Sequence, residues 1–430
     1  MPDQREDSIR EKIVTLNSLK PPSTGGFEST LIPTATPETK LTMARYEQIM
    51  ERLRQETNQT GPDLMVTVPD RDVSRLQSEL ARRSQGERPL DAGGLEVKFG
   101  TGFRGGDWLG WVTSLLDHVD RREAHPMMRP ATTTPDSFPD NARIAMTADW
   151  GTGLYGAPKI AEQITKHAPF DLLLHLGDVY YSGTEDEVQE RFLNAWPRAA
   201  GRMSRTLNSN HEMYSGGFGY FKLALPALNQ SSSYFALENH HWLLVCLDTA
   251  YVDHDMDTEQ VAWLNLVLKE RQQANQGVAK KLVLFSHQQL FSRLDNQGPK
   301  LQLALRHLLD ARAVTAWYWG HEHQCVLYDP HPQYGLLGRC LGNGGIPEPR
   351  KDEVKAAPTE RSVGGVMWKR MAATTDSPSC LVLDGPNRDI KGEEEKFVPH
   401  GFMTLEFAGP KLVERVLLSD GTELLSNTIS

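Results

Sequence analysis

The chain has little cysteine: four in 430 residues, with no Cys-x-x-Cys pair among them. That is too few for a disulfide framework and gives no zinc-ribbon or zinc-finger spacing. Cys246 lies in an apolar, strand-like run and reads as a core thiol. No apolar run approaches the roughly 18–20 residues needed to span a bilayer. The first ten residues, M-P-D-Q-R-E-D-S-I-R, hold no apolar signal core, so the chain reads as cytoplasmic, with no membrane partner. Positive charge is not in excess: 46 Lys and Arg stand against 56 Asp and Glu, a net charge of −10. This balance argues against nonspecific nucleic-acid binding. A hydrophobic fraction of 39% is somewhat low, which predicts that part of the chain is not packed.

What is present is organised around residues 143–181. Two apolar runs, 144–148 and 172–176, each end in an acid inside a glycine-containing turn, Asp149 and Asp178. Between them, Ile160, Ala161 and Ile164 recur at helical spacing behind Pro158. Strand, helix, strand predicts parallel strands with a right-handed crossover. Ligands bind beyond the carboxyl ends of such strands, so the unit sets two carboxylates at one sheet edge.

The rest of the chain divides around this unit. Residues 1–35 read as a disordered tail. Residues 36–140 read as a helical extension and linker. Its helical stripes are Tyr46, Ile49, Met50 and Leu53, then Val73, Leu76 and Leu80, then Trp108 to Val119. A strand is expected at 95–99. Residues 141–430 form the expected catalytic domain, alternating strands and helices and closing on antiparallel hairpins after residue 401. Residues 348–400 are polar and charged and are expected to form a loop or insertion.

Polar clusters follow the expected strands: Asn210, His211 and Glu212; Asp248 and Thr249; His287; His321 and His323. Carboxylates suit hard cations and imidazoles suit first-row transition ions. Tyr181, three residues after Asp178, offers a phenolate, though Tyr180 beside it means that one of the two must face the core. A lone His-x-His is more often a surface or core pair, and a lone Gly-Asp is an ordinary turn. Asp149, Asp178, the Asn210 cluster, His287 and the His321-x-His323 pair make five clusters in one order, each after a strand, and together they point to a metal site. His240 and His241 precede a strand and are not assigned to it.

These clusters resemble those of the metallophosphoesterases (calcineurin-like phosphoesterases), and specifically the purple acid phosphatase branch. The matching residues are Asp149-Trp-Gly151, Gly177-Asp178-Val-Tyr-Tyr181, Ser209-Asn210-His211-Glu212, Leu284-Phe-Ser-His287 and Gly320-His321-Glu-His323. The resemblance covers about residues 143–346. Gly151, where broader relatives carry a ligand His, together with Tyr181, selects the branch. It implies a four-layer αββα sandwich and two metal ions. Asp149, Asp178, Tyr181 and His323 would hold Fe(III). Asp178 would bridge to Zn(II), Mn(II) or Fe(II), held also by Asn210, His287 and His321. His211 would contact the phosphate or protonate the leaving group, with Glu212 orienting it. The implied activity is hydrolysis of small-molecule phosphate monoesters by a metal-bridging hydroxide. Alternatives are a phosphodiesterase or nucleotidase on the same centre, or a noncatalytic partner-binding scaffold. Two departures stand out. Ser209 replaces a glycine, which is expected to strain the turn, and no His follows His287 in the next ten residues, leaving Arg293 as a substitute phosphate contact.

Overall fold

The computed structural model describes residues 69–83 and 123–429, with isolated positions between 48 and 67. The tail at 1–35, the strand expected at 95–99, the helix expected at 108–119, and Tyr46, Ile49, Met50 and Leu53 lie outside the described residues. The second expected helix is α1 (Arg71–Arg83). Asp70 caps it, with Oδ1 accepting from the amides of Asp72 and Val73.

From residue 136 the chain builds two sheets. The strands in chain order are β1 (Asp136–Ser137), β2 (Arg143–Thr147), β3 (Phe170–His175), β4 (Gly201–Thr206), β5 (Phe235–Glu238) and β6 (Trp242–Cys246). They continue with β7 (Lys281–Phe285), β8 (Val314–Trp319), β9 (Cys325–Tyr328), β10 (Leu337–Leu341) and β11 (Thr359–Val363). The last five are β12 (Val366–Met371), β13 (Cys380–Asp384), β14 (Gly401–Ala408), β15 (Lys411–Leu418) and β16 (Glu423–Ile429). One sheet runs β16-β15-β14-β2-β3-β4 and the other β1-β5-β6-β7-β8-β10-β9-β13-β12-β11. Within them, β2-β3-β4 and β6-β7-β8 are parallel.

Strand alternation sets the layers. Ile144 and Met146 of β2, with Leu172 and Leu174 of β3, face Leu244, Cys246, Val283 and Phe285 of the other sheet in a shared core. The residues between them turn outward. Ala145 and Leu173 meet Ile160 and Ile164 of α2 (Gly156–Lys166). Val245 and Leu284 meet Leu264 and Val267 of α3 (Thr258–Ala274). The result is a four-layer αββα sandwich, because each sheet is apolar on both faces and needs cover on both. The strand–helix–strand unit expected at 143–181 is β2-α2-β3, in parallel register from Ile144 against Leu172.

Residues 348–400, expected to form a loop or insertion, carry regular structure rather than a loop alone. They hold a helix at Asp352–Ala356 and the strands β11, β12 and β13, which extend the larger sheet beyond β9. Val366 and Trp368 alternate into the core between the sheets. Lys369 is buried because its Nζ donates to the carbonyls of Lys355 and Ala357. Among the described residues, no helix is long and apolar enough to cross a membrane.

Candidate metal centre

Five strands deliver side chains to one end of the sandwich. Asp149 follows β2, Asp178 follows β3, Asn210 follows β4, His287 follows β7, and His321 and His323 follow β8. The turns that carry them are forced. Asp149, Asp178, His321 and His323 have φ of 54°, 76°, 69° and 52°, a left-handed region that residues with a Cβ rarely occupy. Two glycines admit this crowding. A Cβ on Gly151 would lie 2.6 Å from the Asp178 carbonyl oxygen, and one on Gly320 would lie 2.5 Å from Asp149 Oδ2. Gly151 is therefore required by the backbone as well as by the pattern of the motif.

The donor atoms converge around Asp178. Asp149, Asp178 and His287 each present an atom within 4.8 Å of the others. The His287 Nδ1 donates to the Leu176 carbonyl at 2.8 Å, which leaves a lone pair on Nε2. That Nε2 lies 3.0 Å from Asn210 Oδ1 and 3.3 Å from Asp178 Oδ1. Asn210 Nδ2 donates to Tyr214 Oη at 3.0 Å, so its Oδ1 faces the imidazoles. His321 Nδ1 adds a fourth nitrogen or oxygen at this point, 3.0 Å from Asn210 Oδ1. On the other side of Asp178, Oδ2 accepts from Tyr180 Oη at 2.8 Å. Tyr180 Oη is also 3.0 Å from His323 Nε2 and 3.3 Å from Asp149 Oδ1. Asp149 Oδ2 accepts from the His321 amide at 2.9 Å.

The charge states follow from burial and neighbours. Burial, then the charge of Asp178, lifts the Asp149 carboxyl well above the usual range. Burial also works to raise Asp178, but the imidazoles of His211 and His287 outweigh it and hold that carboxyl well below the usual range. Burial lowers His287 to about 4 and drives His321 well down, so both are neutral at pH 7. His323 is opposite. Burial lowers it, yet hydrogen bonds to Asp178 and Glu348 and the charge of Asp149 raise it to about 10.

This donor set fits a cation. Asp178 Oδ1 is buried with no hydrogen-bond partner. Beside it, the His287 lone pair and the Asn210 carbonyl oxygen face each other at 3.0 Å with no proton between them. Two acceptors held together away from water repel, and a bound cation removes the repulsion. Carboxylate, amide oxygen and neutral imidazole are ligands that divalent first-row ions accept.

The sequence-derived set is gathered here with one exception. Asp149, Asp178, Asn210, His287, His321 and His323 meet as described. Tyr181 does not join them. Its Oη is buried without a hydrogen-bond partner, and its ring lies under the Arg191 guanidinium at 5.1 Å. Tyr180 takes the place beside Asp178. The signal was present, since one of two adjacent tyrosines had to face the core, but the turn after Asp178 decides which. His211 is held by the Tyr181 carbonyl, to which its Nδ1 donates, and its Nε2 lies 3.9 Å from Asp178 Oδ2. Glu212 is bonded to Ser209 Oγ rather than to His211. Burial, then Asp178, raises that carboxyl to about 8. Ser209 itself is unstrained: its φ is −139°, and its Oγ accepts the Glu212 amide as a helix cap.

Other candidates have other duties. Arg293 turns away, donating to Glu353 and to the Ala372 carbonyl. Asp248 supports the site by accepting from Asn208 Nδ2 and from the amides of Ala250 and Tyr251. His240 is exposed and paired with Asp140. Sequence reasoning missed Glu348, 3.5 Å from His323 Nδ1, and His254, 3.3 Å from His321 Nε2. Both come from loops without a recognisable motif.

Residues 142–325 match the family model for calcineurin-like phosphoesterases. No curated protein matches the chain. Among solved structures, the chain is similar to a conserved protein from Streptococcus pneumoniae described as a predicted phosphoesterase, at 10% identity over 67% of this chain and 97% of that one, TM-score 0.28. It is also similar to Vacuolar Protein Sorting 29 from Cryptosporidium parvum, at 12% identity over 67% of this chain and 98% of that one, TM-score 0.32. The family match spans every strand end that contributes to the site, from Asp149 to His323, so residues 142–325 are similar to calcineurin-like phosphoesterases over the whole of the site.

Proposed function

We propose that this chain is a metal-dependent phosphatase that hydrolyses phosphate monoesters at a two-cation centre. The observation that carries the reading is the division of donors about Asp178. Its Oδ1 lies 3.3 Å from His287 Nε2, which in turn meets Asn210 and through it His321, and its Oδ2 faces Tyr180, His323 and His211. Asp178 is thus, among the described residues, the carboxylate placed to serve two ions. Asp149, Tyr180, His323 and Asp178 would hold the first, with Fe(III) suited to the oxygen-rich set. Asn210, His287, His321 and Asp178 would hold the second, with Zn(II), Mn(II) or Fe(II) suited to imidazole. When bound, such ions supply Lewis acidity toward phosphoryl oxygen and lower the pKa of water.

The chain's own groups do the rest. His211, fixed through Nδ1 by the Tyr181 carbonyl, presents Nε2 to the centre. Its Nε2 carries a lone pair in the neutral ring, so it donates to a phosphoryl oxygen or passes a proton to the departing alcohol only as the imidazolium, a form that burial disfavours and the charge of Asp178 favours. Burial of Asp149, Asp178 and His287 strengthens every charge interaction by excluding water. The preference for monoesters rests on the resemblance of the five strand-end motifs to purple acid phosphatases.

The test is hydrolysis of p-nitrophenyl phosphate against its bis-ester by protein of measured metal content. The monoester is expected to turn over faster, and Asp178→Asn to lose at least 100-fold in kcat, in line with loss of a charge-stabilising group. Faster diester turnover would overturn the substrate class. No hydrolysis of either by the metal-loaded protein would overturn the activity.

A further inference from the structure

Beyond the metal centre, the loop between β6 and α3 carries a histidine that no motif of the site includes. His254 sits at the tip of a tight turn, with φ of 55°, and the turn is pinned by a bridge between Val252 and Asp255. The Asp255 amide donates to the Val252 carbonyl at 2.8 Å, and Lys300 Nζ donates to the Asp253 carbonyl at 3.1 Å. The turn sets the His254 ring edge-on to that of His321, with centroids 5.1 Å apart at 80°. His254 Nε2 lies 3.3 Å from His321 Nε2, and His254 Nδ1 lies 2.9 Å from Asp253 Oδ1.

We infer that Asp253 and His254 are positioning residues that fix the proton of His321, and with it the affinity for the second cation. This rests on the two-cation reading in one respect, that His321 Nδ1 meets a cation. A neutral imidazole carries one proton. With Nδ1 committed to the cation beside Asn210 and His287, that proton belongs on His321 Nε2. It is donated to His254 Nε2, which must then hold its own proton on Nδ1, and that proton is donated to Asp253 Oδ1. Each hydrogen in the row has one acceptor. Reversing any member would set two N–H groups, or two lone pairs, against each other at 3.3 Å. His287 has its proton fixed by a main-chain carbonyl, which no side-chain substitution removes. His321 depends on a side chain from a different loop. A partner on the far nitrogen of a ligating histidine fixes its tautomer and raises its basicity, and removing one lowers metal affinity by about 10–100-fold.

The experiment is calorimetric titration of the metal-free full chain with Zn(II), comparing wild type with His254→Ala and His254→Gln. Glutamine places a carbonyl oxygen near the position of the imidazole Nε2 and can accept from His321. The expected result is that His254→Ala weakens one of two binding steps by about 10–100-fold and leaves the other unchanged. His254→Gln stays within a few-fold of wild type, and the melting temperatures of the three metal-free proteins coincide. Equal affinity of His254→Ala and wild type at both steps would overturn the inference and leave the two-cation reading standing. So would a loss in His254→Ala that glutamine fails to restore. Failure of the wild-type chain to take up Zn(II) would overturn the two-cation reading itself.

Discussion

Tyr180 Oη lies 2.8 Å from Asp178 Oδ2, while the next residue, Tyr181, sends its phenol away from the centre. The two side chains exchange the roles expected from the Gly-Asp-x-x-Tyr spacing, and the exchange is testable. Protein loaded with iron is expected to absorb in the visible through a phenolate ligand. Tyr180→Phe should remove that band and Tyr181→Phe should retain it. Loss of the band in Tyr181→Phe alone would restore the motif's assignment. Stability separates the two as well. Tyr181 Oη is buried and unpartnered, so its removal is expected to change unfolding free energy by less than about 1 kcal/mol.

His323 gives a pH dependence with a defined sign. In the metal-free protein its imidazole is held at about 10, well above the ordinary value of 6.5. A raised value of this kind stabilises the metal-free fold fully below pH 6.5, and the stabilisation is lost as pH rises through 10. A cation needs the lone pair that this proton occupies, so metal uptake near pH 7.5 must release it. His287 and His321 are already neutral there and contribute none. Titrations in two buffers of different ionisation enthalpy are expected to show release of at least one proton. The count should fall by about one in His323→Asn. Uptake without proton release would exclude His323 as a ligand.

The parts of the fold that were legible in sequence share a physical cause. In β2 and β3, Ile144, Met146, Leu172 and Leu174 alternate with outward residues, and each strand stops at an acid inside a glycine-containing turn. The antiparallel run from β14 to β16 carries the same alternation and a visible Asp420-Gly421 turn. Asn210, His287, His321 and His323 could be found because a parallel strand delivers the residue just past its end. The strands β11 to β13 were hidden because charged residues such as Lys369 and Arg370 interrupt the apolar pattern. Their place in the sheet depends on distant partners: Lys369 is buried against the carbonyls of Lys355 and Ala357, and half-buried Arg370 pairs with Asp329 and Glu360. Choosing Tyr180 over Tyr181 required the backbone of one turn. His254 required a contact across 67 residues of chain.

Glu187 ties the loop that follows Asp178 to a helix outside the family match. Its Oε1 accepts from the Tyr181 amide at 2.7 Å and from Ser78 Oγ of α1 at 2.9 Å. Its Oε2 accepts from the amides of Ser182 and Thr184, each at 3.1 Å. Burial works to raise this carboxyl, but Arg191 and those amides lower it, so it is ionised at neutral pH. Arg191 lies 3.6 Å away, buried, and also donates to the Tyr180 carbonyl. Glu187→Gln leaves Arg191 as an uncompensated buried charge and turns an amide N–H toward donors. The expected loss of stability is about 3–5 kcal/mol, the range for breaking one partner of a buried pair. Ser78→Ala removes one neutral hydroxyl from the same oxygen and is expected to lose only about 1–2 kcal/mol, the range for one hydrogen bond to a charged group. Urea unfolding at pH 7 measures both. If Glu187→Gln matched Ser78→Ala, the carboxylate would not be the anchor of the loop. If Ser78→Ala equalled wild type, α1 would rest on the domain without helping to hold the turn that presents Tyr180 and Asp178.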